Sequence, residues 1–272
     1  MKIFETTGHV ALRLALAGGE VAVETADDNR VEVDLIPLRD NDITREAIAE
    51  ARVEMTERRG GHLIVVHIEK RSGFLKGRGP KVGVRIRCPH GTDLDFRAGS
   101  AGLDATGVLG AVDVKTASGD VCVEDAASLE VNTASGDMRV RDVDGAVTFR
   151  TASGDASVRR CGGPLSVNLV SGDLSIGEAS AGLTVTTVSG DVRVHAAGGG
   201  GMKVQSVSGD VHLAIKPGER LRIDASSVSG SMSSELDVND APPADASGPL
   251  HDLRVRTVSG DLEIVRATAV GA

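Results

Sequence analysis

The chain has no tryptophan and no tyrosine, and four phenylalanines among its 272 residues. That excludes the stacking platforms that hold single-stranded nucleic acid and the aromatic anchors that dominate many protein interfaces. An aromatic floor for a sugar-binding groove is missing for the same reason. Basic charge is also short: 30 Lys+Arg against 39 Asp+Glu leave a formal net charge of −9, the wrong sign for gripping a phosphate backbone. The three cysteines, Cys88, Cys122 and Cys161, are an odd count without C-x-x-C spacing. They form neither a disulfide framework nor a zinc or redox pair. Cys88 keeps phase with Val82, Val84 and Ile86 and reads as a buried thiol. No run of about 18 apolar residues is present, so no membrane span is expected. Met1–Thr7 lacks the apolar stretch of a signal peptide, and a cytoplasmic setting is the expectation.

What abounds is glycine, 34 residues against 8 prolines, and it recurs in a motif. Thr116-Ala-Ser-Gly-Asp120 returns at 133–137, 151–155, 169–173, 187–191, 206–210 and 257–261, with the first two positions varying between Thr, Leu or Ser and Ala or Val. A variant copy, Ser227-Val-Ser-Gly-Ser231, carries serine for the aspartate. The motif glycines, Gly119, Gly136, Gly154, Gly172, Gly190, Gly209, Gly230 and Gly260, are separated by 17, 18, 18, 18, 19, 21 and 30 residues. A fixed period of this kind is the signature of a repeat architecture.

Each copy is flanked by alternating apolar residues, as in Leu183-x-Val185-x-Thr187 before it and Val192-x-Val194 after it. Period two with branched side chains means half-buried strand. Ser-Gly-Asp is turn chemistry, glycine supplying positive φ and the polar side chains bonding nearby backbone. One such coil cannot bury its apolar side alone, whereas coils stacked about 4.8 Å apart pair every strand above and below. The fold expected is all-β: a β-solenoid, or flattened β-helix, of about eight to nine coils of roughly 18 residues. Residues 99–266 make the solenoid and 267–272 a C-terminal tail. Residues 1–98 make a small β-rich capping region. There the stretches Val10–Leu16, Val21–Val23 and Val31–Leu35 read as antiparallel strands with Gly18-Gly19 as a turn, and Asp42 caps a short helix running to Arg52. A hairpin turns at Gly60-Gly61, and Val82–Cys88 is a further strand.

The repeat [LV]-x-V-x-T-[AV]-S-G-D-[VL]-x-[VI] resembles the adhesin-like DUF4097 family, also called the toastrack domain. The likeness covers residues 5–266 and includes the strand Val82–Pro89 with Gly91 after it. It implies a repetitive β-fold without catalytic residues. The chain departs from the pattern at Ser231 and at Ala101-Gly102, so an aspartate is not required in every coil.

The aspartates Asp120, Asp137, Asp155, Asp173, Asp191, Asp210 and Asp261 would stack as a column of like charge, which needs an offset. Two readings stand open. Each carboxylate accepts backbone N–H groups at its own corner, or adjacent coils share a Ca2+ ion. The serines two positions earlier, Ser118 to Ser259, suggest nucleophile and base. Triad chemistry needs a histidine between them, and none of the seven histidines recurs with the repeat. No catalytic residue, metal site or cofactor is therefore assigned, and the protein reads as non-enzymatic. The residue before each serine runs Ala117, Ala134, Ala152, Val170, Val188, Val207, Val228, Val258. Val170, Val188, Val207, Val228 and Val258 are the candidate partner face, unless the corner turns them inward. A basic loop over Arg71–Lys81, with Phe74, Leu75, Lys76 and Arg78, reads as a solvated loop or a contact for an anionic surface. The expected function is a protein-binding or scaffolding module whose partner is an unknown protein or a second copy. No nucleic acid, integral membrane segment or small-molecule substrate is expected. An exported adhesin-like protein and a polysaccharide-acting β-helix enzyme are the alternatives.

Overall fold

The computed structural model describes residues 1–58, 60–68, 80–236 and 250–267. The chain forms two compact units, residues 1–141 and 142–272. The period-two stretches of the first become β1 (Lys2–Glu5), β2 (His9–Ala26), β3 (Arg30–Pro37), β4 (Arg52–Arg58), β5 (Gly61–Ile68), β6 (Val82–Pro89), β7 (Asp93–Ser118), β8 (Val121–Ser135) and β9 (Met138–Val143). One helix, α1 (Asp42–Ala49), interrupts them. Its cap is Asn41, whose side chain accepts the Thr44 N–H at 2.7 Å. The helix thus starts where Asp42 was expected to cap it, and stops short of Arg52, which opens β4.

The antiparallel reading of Val10–Val23 does not hold. β2 is one strand of 18 residues, continuous through Gly18-Gly19. It lies parallel to β7, with Leu12 opposite Leu94 and Val21 opposite Leu103. On its other side its first half pairs in parallel with β5 and its second half with β6. β7 in turn pairs in parallel with β8. Parallel stacking therefore begins at His9, and β2 sits between β5–β6 and β7, which follow it in sequence. The hairpin expected at Gly60-Gly61 is present: β4 runs antiparallel along β5. β3 does the same along β6, and β1 along β3. These antiparallel strands cover the edge that β5 and β6 would otherwise leave open, which is how native sheets manage their ends.

The second unit is the repeat in regular form. One sheet stacks β10 (Val147–Ser153), β12 (Leu165–Ser171), β14 (Leu183–Ser189) and β16 (Met202–Ser208) in parallel. The other stacks β11 (Ala156–Cys161), β13 (Leu174–Ala179), β15 (Val192–Ala197) and β17 (Val211–Ile215). Register follows the repeat, so Val147, Leu165, Leu183 and Met202 form one core column and Phe149, Val167, Val185 and Val204 the next. All are buried. Burying a side chain of this size contributes about 1.5–3 kcal/mol, so the stacked columns hold the coils together.

The last two coils depart from chain order. After β17 come β18 (Arg220–Ser229) and β19 (Met232–Ser234), then β20 (Leu250–Ser259) and β21 (Leu262–Arg266). β16 pairs with β20, and β20 with β18. β17 pairs with β21, and β21 with β19. The final coil is therefore inserted between the two that precede it, and the variant Ser-Gly-Ser coil stands at the end of the stack. Insertion gives both edges of the chain's last strands a partner.

Candidate binding surface

The corner is built by the motif itself. Its first residue points inward, and where it is threonine the buried or half-buried side chain's hydroxyl donates to the carbonyl of the serine two residues on. Thr116, Thr133 and Thr151 do so at 2.9, 2.8 and 2.9 Å; Thr187 and Thr257 do so at 3.4 and 3.3 Å. The serine carbonyl also accepts the glycine N–H of a neighbouring coil, as from Gly172 to Ser189 at 3.2 Å. Reading the sequence for apolar phase counts this threonine as an inward residue and misses its role. The signal available was that only hydroxyl-bearing residues and one leucine occupy the position.

The aspartates do not close on their own corners. The carboxylates of Asp120, Asp155, Asp173, Asp191, Asp210 and Asp261 each reach the coil beside them and accept the backbone N–H of that coil's corner residue. In the first unit Asp120 accepts from Asp137 at 2.9 Å. In the second, Asp155 accepts from Asp173 at 2.9 Å, Asp173 from Asp191 at 2.9 Å, and Asp191 from Asp210 at 3.0 Å. Asp210 then accepts from Asp261 at 2.8 Å, and Asp261 from Ser231 at 2.8 Å. The Ser231 amide and then its hydroxyl hold the Asp261 carboxyl below the ordinary aspartate value. Charge-assisted bonds of this kind offset the like-charge column, helped by Arg193, which reaches Asp191 at 3.1 Å. The ladder also explains Ser231. Its coil is the last of the stack, so among the described residues no further corner amide lies beyond it to be received. Among the described residues no group of three or more His, Cys, Asp or Glu is arranged to hold a metal ion.

The valines of the motif stand outward, one coil apart. Val170, Val188, Val207, Val258 and Val228, in spatial order, are 53, 46, 47, 49 and 81% exposed. At about 4.8 Å per coil they form an apolar stripe on the order of 20 Å long. Beside it the same sheet presents Lys203, Arg254 and Arg256, all exposed. A positive margin on a chain of net charge −9 is a local feature that sequence order alone does not reveal, because Arg254 and Arg256 lie next to Lys203 only through the inserted coil.

Other expected features fall elsewhere. The corner serines Ser135, Ser153 and Ser189 spend their carbonyls on the turn. His212 pairs with Glu263 at 2.9 Å and His251 approaches Glu219 at 3.8 Å, neither of them a corner residue. The basic loop, with Phe74, Leu75, Lys76 and Arg78, lies outside the described residues, as do 268–272 of the tail. Cys88 is buried, and burial pushes its thiol up to about 11 against a weaker opposing bond from Thr92. Burial likewise raises Cys161. A shallow hollow of about 300 Å³ in the first unit is lined by Ala22, Glu24, Arg85, Arg87, Asp104 and Thr106 among others.

The Toastrack DUF4097 family profile matches residues 11–265. No curated protein matches the chain. Among solved structures it is similar to a "putative adhesin" from Parabacteroides distasonis ATCC 8503, at 14% identity over 97% of this chain and 95% of that one, with a TM-score of 0.44. A "putative adhesin" from Bacteroides fragilis NCTC 9343 overlaps at 10% identity over 96% and 95%, with a TM-score of 0.35. No helix among the described residues is long and apolar enough to cross a membrane.

Proposed function

We propose, from the premise that the chain belongs to the Toastrack DUF4097 family, that it is a non-enzymatic binding module which holds a protein partner on the valine stripe. The observation that carries this reading is the exposure of Val170, Val188, Val207, Val258 and Val228 at 46–81% in one continuous column. Single exposed apolar residues are ordinary, but a contiguous row is what partner sites look like. The corner aspartates support the non-enzymatic half of the reading, because the Oδ1 atoms of Asp155, Asp173, Asp191, Asp210 and Asp261 are all engaged by backbone amides. A partner suited to the stripe presents apolar side chains flanked by acidic ones, matching Lys203, Arg254 and Arg256. Residence in the cytoplasm belongs to the same reading.

The test compares the wild type with a Val188→Lys/Val207→Lys/Val258→Lys variant whose thermal unfolding is unchanged. Both are used to capture proteins from native lysate, and any captured protein is then titrated in purified form. A partner bound by the wild type and at least tenfold more weakly by the variant supports the reading. Equal affinity for both would remove the stripe, and a captured protein confined to the envelope fraction would remove the cytoplasmic assignment.

A further inference from the structure

The end of the second unit presents an open strand edge of specific character. Among the described residues β18 pairs with β20 on one side, and no strand pairs with its other side. The core is cut open there. Ile223 and Ala225 stand in the columns of Leu253 and Val255, both 0% exposed, yet are themselves half-exposed. Met232 continues the column of Leu262 and Leu174, each 2% exposed, but is 53% exposed. An uncovered edge of this kind is a template for pairing with another chain.

The outward face of β18 tells what pairs with it. It reads Arg220, Arg222, Asp224, Ser226. Across the β18–β20 ladder Arg222 lies opposite Asp252, and Asp224 opposite Arg254. We propose that this edge is the interface of a two-fold symmetric dimer, in which β18 pairs antiparallel with β18 of a second copy, centred on Ile223. That register sets Arg222 against Asp224 of the second copy, twice by symmetry. It sets Leu221 against Ala225 and Ile223 against its own equivalent on the inner face. The charges then alternate across both molecules: Asp252, Arg222, Asp224 of the second copy, Arg254 of the second copy. Other centres lose this match. Centring on Arg222 or Asp224 opposes a charge to itself, and centring on Leu221 opposes Arg222 to Arg220. A half-residue centre pairs outward residues with inward ones, which strand alternation forbids. Isologous contacts must be self-complementary, and this strand is. The inference is independent of the valine stripe, which lies on the outside of the stack and not across its end.

The experiment is sedimentation velocity on the full chain over a wide concentration range. The expected result is a reversible dimer of twice 28.0 kDa. Arg222→Asp and Asp224→Arg each replace two opposite-charge pairs with two like-charge pairs, and should weaken association by about tenfold or more. Mixed together, the two variants regain every opposite-charge pair across the junction, so an equimolar mixture should form a heterodimer near wild-type affinity. That recovery cannot come from variants that merely fail to fold. A wild type that stays monomeric up to its solubility limit, a dimer indifferent to Arg222→Asp, or a mixture that stays monomeric would each overturn the proposal.

Discussion

Substituting the corner glycine Gly190 by alanine should test why the repeat keeps glycine at that place. Gly190 has φ +121°, and a Cβ built on it falls 2.1 Å from the carbonyl oxygen and 2.7 Å from the carbonyl carbon of Gly172. Gly218 is the natural comparison in the same unit: its φ is +85°, but a Cβ there meets nothing within 4 Å. Both substitutions incur the conformational cost of positive φ, about 1–2 kcal/mol at a left-handed position and about 1–3 kcal/mol in the glycine-only region beyond it. Gly190→Ala adds a backbone collision. The coils cannot part to relieve it, because amide bonds pin the corners on both sides: Gly190 N–H to Ser208 O and Gly172 N–H to Ser189 O, each 3.2 Å. Overpacking of this kind costs a further 1–3 kcal/mol or so. The total, about 2–6 kcal/mol, is a large share of the roughly 5–15 kcal/mol that holds a protein folded. At about 2 °C of melting temperature per kcal/mol for a chain of this size, Gly190→Ala should melt about 4–12 °C below wild type. Gly218→Ala should lose no more than about 4 °C. Thermal unfolding followed by circular dichroism reads both. Equal losses would show that backbone conformation alone selects the corner glycine, and that contact between coils plays no part in the choice.

The aspartate ladder predicts that Asp173→Ala, which strips the acceptor from the Asp191 amide, destabilises by about 1 kcal/mol. By contrast, Ser231→Asp adds a carboxylate without an amide to receive, and urea unfolding should find it neutral or slightly unfavourable. Acid should loosen the end of the stack. The Asp261 carboxyl is depressed by the Ser231 amide, so its contribution is complete above the ordinary aspartate value and disappears as pH falls through the lower folded value. Hydrogen exchange at Ser231 should therefore quicken at acid pH beyond its intrinsic pH dependence, and Asp261→Asn should abolish that extra step. Of the three cysteines, Cys88 and Cys161 are buried with raised thiols and Cys122 is half-exposed. A colourimetric thiol reagent at neutral pH should consume one thiol quickly and the other two only after denaturation.

Local pattern fixed much of this fold because the repeat states its own period. Residues two apart face one way along a strand, and residues one repeat apart meet across the ladder, so Leu165, Leu183 and Met202 align from spacing alone. Non-local pairing was out of reach for the same reason. Nothing in Leu250–Arg266 says that it slips between β16–β17 and β18–β19, since its apolar pattern fits any slot in the stack equally well. The same holds for β2, whose period-two stretch is compatible with either strand direction. Yet one residue did carry the information. Ser231 looked like a degenerate copy while coils were ordered by sequence, because Asp210 before it and Asp261 after it made its position look interior. Once the described coils are ordered in space, Ser231 stands last, and among the described residues no corner amide lies beyond it to be received. The loss of a charge at that position is then what the ladder requires. The spacings of 21 and 30 residues on either side of Gly230 mark the two crossings that carry the chain past one coil position and back. The same crossing brings Arg222 and Asp224 to the open edge beside Asp252 and Arg254, so the residues that place the last coil inside the stack also set the charge pattern of its end.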